Sequence, residues 1–219
     1  MKRRELLKTL PALGVSGGAY AGLTCSNPDP YGNQMCTVGV PSDRLNVSYA
    51  EQIGSNWCWA ACIEMILRYH GCPVPQKRVV METFGTLVDS RADHAIILRN
   101  LNRVWNTPSG AFQVSSDFLT VPPDVAAHAL KDEAPIVVGT MGHAMVLTAM
   151  TYARAANGAG QPLEMIVRDP WPYRMQGSPI FGMNAPGPMG RRSLTMQQMT
   201  GLNPQFGGIV FRVGVRRVA

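Results

Sequence analysis

The chain has 219 residues, 46% of them hydrophobic and 16% charged, with a mean hydropathy near zero. That is enough chain to bury a core without metals, too apolar for an intrinsically disordered protein and too polar for a polytopic membrane protein. A formal charge of +6 would point to an anionic partner only if the charges cluster along one element.

In chain order, the first 21 residues pair a basic stretch (Lys2, Arg3, Arg4, Lys8) with a weakly apolar run from Leu10 and small residues at Ala19 and Ala21. This is the layout of an export signal, and Arg3-Arg4-Glu5-Leu6-Leu7-Lys8 resembles the twin-arginine type. Pro11 and Gly14, Gly17 and Gly18 interrupt a run of only 12 residues, so no stable membrane span is expected here. The signal carries four Lys/Arg and one Glu, three of the six net positive charges. The remaining +3 is scattered over pairs such as Lys77-Arg78, Arg191-Arg192 and Arg216-Arg217, read as solvated surface, and no nucleic-acid partner is expected.

Residues 22–45, with Asn27-Pro28, Asp29-Pro30 and Tyr31-Gly32-Asn33, read as a turn-rich arm. Residues 46–219 read as one domain. Apolar residues at helical spacing predict a helix from about Trp57 to His70, capped by Ser55 or Asn56 and stopped at Gly71. Further helices are predicted near Gln76 to Phe84, Asp93 to Trp105 and Pro123 to Lys131. Short β-branched or apolar runs follow at Pro135 to Thr140, His143 to Tyr152, Leu163 to Asp169 and Ile209 to Val215. Trp171 to Gly190 reads as a long surface loop. Helices first and antiparallel strands afterwards predict an α+β fold.

The chemistry concentrates in Gln52-Ile53-Gly54-Ser55-Asn56-Trp57-Cys58-Trp59-Ala60. A cysteine in the first turn of a helix has its thiolate stabilised by the helix dipole and by unpaired backbone N–H groups. Gln52, six residues upstream, could donate to an oxyanion beside the Cys58 N–H. His143 in Gly142-His143-Ala144 offers a base at the start of an apolar strand, and Asp169 in Arg168-Asp169-Pro170-Trp171 an acceptor to fix its tautomer.

Together Gln52, Cys58-Trp59-Ala60, Gly142-His143-Ala144 and Asp169-Pro170-Trp171 resemble a papain-like cysteine peptidase. The likeness is greatest to the short bacterial branch related to double-glycine leader peptidases and secreted effector proteases. The resemblance implies a two-lobe fold, with Cys58 as nucleophile, Gln52 as oxyanion donor, His143 as base and acid, Asp169 as orienting group and Trp171 as a shield over the His–Asp bond. It also implies a polypeptide substrate and no cofactor; a monomer is expected, though no residue pattern speaks to oligomeric state. Asp169 stands where papain itself has Asn, and the chain carries no recognisable inhibitory propeptide. The same groups would serve a thiol amidase or acyl transferase on cell-wall peptides or glutamine side chains, and a papain-like shell could also act as a non-catalytic binding module.

Setting Cys58 aside leaves Cys25, Cys36, Cys62 and Cys72, an even number suited to two disulfides in a protein exported to the periplasm or secreted. Three pairings are possible; Cys25–Cys36 with Cys62–Cys72 is the local one. Cys58, Cys62, His70 and Cys72 lack the spacing of a metal knuckle, so no metal is expected. His70, His94 and His128 read as surface residues, His70 favoured in its charged form by a helix C-terminus.

Overall fold

The computed structural model describes residues 22–118, 123–172, 187–203, 205 and 207–218. The expected export signal (1–21) lies outside the described residues, as does the middle of the expected loop between Trp171 and Gly190.

The described fold mixes helices with one antiparallel nine-stranded sheet. Its strands are β1 (Gly22–Cys25), β2 (Gln34–Gly39), β3 (Val104–Thr107), β4 (Gly110–Phe118), β5 (Ile136–Thr140), β6 (His143–Arg154), β7 (Gly160–Arg168), β8 (Arg191–Ser193) and β9 (Ile209–Arg217). The main path runs β1-β2-β6-β5-β9-β4-β3, with β7 and β8 branching from β6. The helices are α1 (Ser42–Ser48), α2 (Cys58–Tyr69), α3 (Gln76–Phe84), α4 (His94–Asn100), α5 (Pro123–Lys131) and α6 (Met196–Thr200).

Strand periodicity divides the core into two layers. Val137, Ala144, Val146, Phe211 and Val213 join the cluster built by α2, α3 and α4. Their alternates Ile136, Val138, Met145, Leu147 and Val210 join the cluster that holds the α5 residues Ala126, Ala129 and Leu130. Strands buried on both faces explain why β5 and the start of β6 read as continuous apolar runs rather than alternating ones.

β6 is the hub. It pairs β5 over His143–Leu147, β2 over Ala149–Arg154 and β7 over Val146–Arg154. The β5–β6 hairpin closes through Met141 and Gly142, both at positive φ (53° and 77°), the backbone twist that a two-residue hairpin loop prefers. His143 is thereby fixed as the first residue of a central strand.

Several expectations change. Residues 22–45 are not simply a turn-rich arm: β2 pairs with β6 in the sheet, and α1 follows. The turn signals at Asn27-Pro28 and Tyr31-Gly32 mark the connection of a hairpin, stapled by the Cys25–Cys36 disulfide across directly paired positions. The helix predicted to reach Trp105 ends at Asn100, and Val104–Thr107 pairs with β4, neither strand having been predicted. Trp105 is fully buried there, its indole N–H donating to the Asn100 carbonyl. Cys62 and Cys72 do not form a disulfide; both are free, buried thiols packed as small hydrophobes in the α2 layer. His70 is not a charged surface residue: burial, then the Arg44 charge, lower its pKa to about 4.

Candidate active site

The loop entering α2 is held from below by a buried carboxylate. Glu64 pairs with Arg68 one turn on and accepts from the backbone and side-chain N–H groups of Gln76 (3.0 and 2.9 Å). The Gln76 amide in turn accepts from the Ile53 N–H and donates to the Glu51 carbonyl, both at 2.8 Å. A satisfied buried network of this kind fixes one backbone path, here the one that carries Gln52.

Cys58 is the first residue of α2. Its N-cap is Trp57, with no side-chain cap, so the cap expected from Ser55 or Asn56 is absent. Asp89 instead accepts from the backbone N–H groups of Ser55 (3.2 Å) and Asn56 (2.8 Å), bracing the turn from outside. The first amides of α2, like those of any helix, have no intrahelical partner, and the backbone N–H groups of Trp59 and of Ala144 in β6 favour the Cys58 thiolate. Trp57 and Trp59 are buried and donate their indole N–H groups to the Val88 and Ser90 carbonyls, fixing the 85–93 loop beside the cysteine.

His143 stands between Cys58 and Asp169. Its Nε2 lies 2.6 Å from Asp169 Oδ1, and the imidazole interacts with Cys58 as well. Asp169 follows β7, its backbone N–H donating to the Gly190 carbonyl (2.7 Å) and its carbonyl accepting from the Tyr49 hydroxyl (3.1 Å). Trp171 donates its backbone N–H to Asp169 Oδ1 (2.9 Å), and its ring meets the imidazole edge to face at 6.5 Å. Gln52 is buried, but its amide N–H groups donate to the Gly54 and Ser55 carbonyls (both 3.0 Å), while its Oε1 has no hydrogen-bond partner.

The electrostatics follow from these contacts. Burial pushes the Cys58 thiol up, but the hydrogen bond and charge of His143, with the Ala144 and Trp59 N–H groups, outweigh it and hold the pKa below its ordinary value. Burial alone would lower the His143 pKa; the hydrogen bonds and charges of Asp169 and Cys58 raise it to about 9. Asp169 is raised by burial and lowered further by His143, Arg192 and the Trp171 N–H, ending below the usual carboxylate value. Both shifts run toward a thiolate beside an imidazolium.

This pair opens onto a cleft of about 270 Å³, walled by Arg91, Asp93 and His94 on one side and by Gly139, Thr140 and Ile209 on the other. Among the described residues no three His, Cys, Asp or Glu side chains group to hold a metal ion, and no helix is long and apolar enough to cross a membrane.

Sequence reasoning missed two residues of the site. Asp89 sits in a stretch with no periodic signal. Arg192, read as solvated surface, is only 9% exposed at its side chain and donates from Nε to Asp169 Oδ2 at 2.7 Å. The only signal in sequence was that one of two adjacent arginines in a short strand must point inward.

No curated protein matches the chain. Residues 44–179 match the Peptidase_C39 like family, a span that contains Gln52, Cys58, His143 and Asp169. The chain belongs to the Peptidase_C39 like family and is, at the level of the family, a cysteine peptidase.

Proposed function

We propose that the protein is an exported thiol peptidase acting through a Cys58 thioester. The observation that carries this reading is His143 bonded through Nε2 to Asp169 while the same imidazole interacts with Cys58 at the cleft. The Cys58 thiolate attacks the substrate carbonyl carbon, forming a C–S bond and an oxyanion. The Cys58 backbone N–H stabilises that oxyanion, with Gln52 joining by exchanging a loop carbonyl, Gly54 or Ser55, for it. Protonated His143 gives its proton to the leaving amine as the C–N bond breaks. Neutral His143 then takes a proton from water, whose oxygen attacks the thioester, and thiolate and imidazolium return with release of the acid.

In this reading the molecule has the two lobes of a papain-like enzyme, α2–α4 carrying Cys58 and the sheet carrying His143 and Asp169, and it works as a monomer. Residues 1–21 serve as a twin-arginine signal, so the enzyme acts in the periplasm or beyond the cell. The Cys25–Cys36 disulfide, in a chain that keeps its other cysteines free, supports an oxidising destination.

The test is iodoacetamide labelling of the folded chain with peptide mapping, alongside hydrolysis of an unfolded polypeptide by wild type and Cys58→Ala. Labelling at Cys58 and loss of hydrolysis in Cys58→Ala, with unchanged thermal unfolding, are expected. Hydrolysis that survives the substitution, or a Cys58 that resists alkylation, rejects the mechanism. Cys58-dependent turnover of purified peptidoglycan with none of unfolded polypeptide would assign the same chemistry to an amidase instead.

A further inference from the structure

We infer that Arg192 is a positioning residue of this site, holding the Asp169 carboxylate in the one orientation that presents Oδ1 to His143. The inference rests on the thiol-peptidase reading above and adds a fourth charged member to its Cys–His–Asp row.

Three donors fill the carboxylate: His143 Nε2 (2.6 Å) and the Trp171 N–H (2.9 Å) on Oδ1, and Arg192 Nε (2.7 Å) on Oδ2. Without Arg192 the second oxygen has no donor among these three, and the carboxylate can turn about its Cβ–Cγ bond. Arg192 is itself pinned. Its Nη1 donates to Gln198 Oε1 (3.1 Å) and its Nη2 contacts Met145 Sδ (2.9 Å) on β6, two residues beyond His143.

Gln198 carries the support back into the fold. It is the N3 residue of a capping box on α6, with Thr195 as N-cap: its Oε1 also accepts from the Thr195 N–H (3.0 Å), and its own N–H donates to Thr195 Oγ1 (3.2 Å). Its backbone carbonyl accepts from the hydroxyl of Thr140 (3.0 Å), the residue paired with His143 across the β5–β6 hairpin. One buried glutamine thus ties the guanidinium to the strand end where the imidazole starts.

Charge makes the arrangement economical in a buried site. With the thiolate and imidazolium formed, Cys58, His143, Asp169 and Arg192 alternate in sign and sum to zero. Tyr49, whose hydroxyl bonds the Asp169 carbonyl, and Cys62 in α2 are both pushed by burial toward their neutral forms, and the guanidinium of the neighbouring Arg168 is committed elsewhere, to the Met189 carbonyl (3.0 Å) and Asn46 Oδ1 (2.8 Å). Arg192 is therefore the cation that balances Asp169 when His143 is neutral during deacylation. A planar guanidinium reaches Oδ2 and Gln198 Oε1 from two nitrogens of one rigid fork; an ammonium has a single nitrogen and no fixed plane.

The experiment uses the full chain with Arg192→Met and Arg192→Lys. It reads the pH dependence of Cys58 alkylation by iodoacetamide, and kcat and KM on an unfolded polypeptide. Arg192→Met is expected to move the acid limb of alkylation up by about one pH unit, a tenfold slower rate on that limb. It should also lower kcat about tenfold or more with KM within about twofold. Arg192→Lys should restore the acid limb while leaving kcat several-fold low. A folded Arg192→Met with the wild-type acid limb and kcat overturns the inference, as does a loss confined to KM. Should Arg192→Met fail to fold, Arg192→Lys decides, because wild-type kcat with an ammonium at this position removes the need for the fork. A wild-type Cys58 that is inert to iodoacetamide overturns the peptidase reading and this inference with it, whereas a reactive Cys58 indifferent to Arg192→Met overturns the inference alone.

Discussion

Replacing Asp169 with Asn changes one atom of the carboxylate and sets two contacts against each other. The Asn carbonyl oxygen can accept from His143 Nε2, but the amide nitrogen then faces Arg192 Nε, donor against donor; the flipped amide reverses the conflict. In either pose the site loses its negative charge, and Arg192 is left as a buried cation without its partner, a loss of about 3–5 kcal/mol. The displacement of His143 from 6.5 to about 9 represents a net preference for imidazolium of about 3 kcal/mol, in which the contributions of Asp169 and Cys58 outweigh the opposing cost of burial. Asp169→Asn should return the His143 pKa toward or below 6.5. Four histidines make the imidazole C–H resonances few enough to assign through a His143→Ala control, so NMR titration reads this directly. The alkaline limb of peptide hydrolysis should fall with it. The same coupling predicts stability against pH. Because the folded pKa of His143 is raised, its contribution is complete below about pH 6.5 and is lost as pH rises through about 9. Denaturant unfolding of the wild type should show that decline, and Asp169→Asn should flatten it. A His143 resonance that still titrates near 9 in Asp169→Asn would refute the assignment of Asp169 as the group that charges the imidazole.

Three other outcomes follow from packing and covalent structure. With Cys25 and Cys36 joined and Cys58, Cys62 and Cys72 free, a thiol reagent should find one fast group in the folded protein and three after unfolding; a count of one after unfolding would restore the Cys62–Cys72 bond. Removing the Cys25–Cys36 staple as a double Ala variant should lower unfolding stability by about 2–3 kcal/mol, the loop closed being short. Gly190 sits at φ 67°, and a Cβ there would run into the Asp169 carbonyl and the Tyr49 ring. Gly190→Ala should therefore destabilise the fold by about 2 kcal/mol and, by displacing Asp169, slow hydrolysis; a variant with wild-type turnover would show that the Asp169 backbone tolerates the shift.

Where local chemistry specifies the outcome, the sequence sufficed. Helical periodicity and Gly71 marked α2, apolar runs separated by Gly and Pro marked β5, β6 and β9, and residue type and order singled out Gln52, Cys58, His143 and Asp169 as candidates. The helix that was expected to run through Trp105 failed because an aromatic residue fits a helix face or a strand equally well until a pairing partner is known, and β4 is that partner. Residues 22–45 were misread for the same reason: an edge hairpin is stabilised by β6, more than 100 residues away.

What the sequence by itself determined is the placing of a cysteine at a helix start and of a histidine and an aspartate at strand ends, because each carries a signal within a few residues of itself. Only the tertiary structure decided that Cys62 and Cys72 remain thiols, that Gln52 donates to its own loop, that Asp89 braces the turn before α2, and that Arg192 turns inward. Each of these depends on which distant backbone arrives beside it. A guanidinium on a three-residue strand is surface or site according to whether a carboxylate stands 2.7 Å away, and that distance is set by the pairing of β7 with β8.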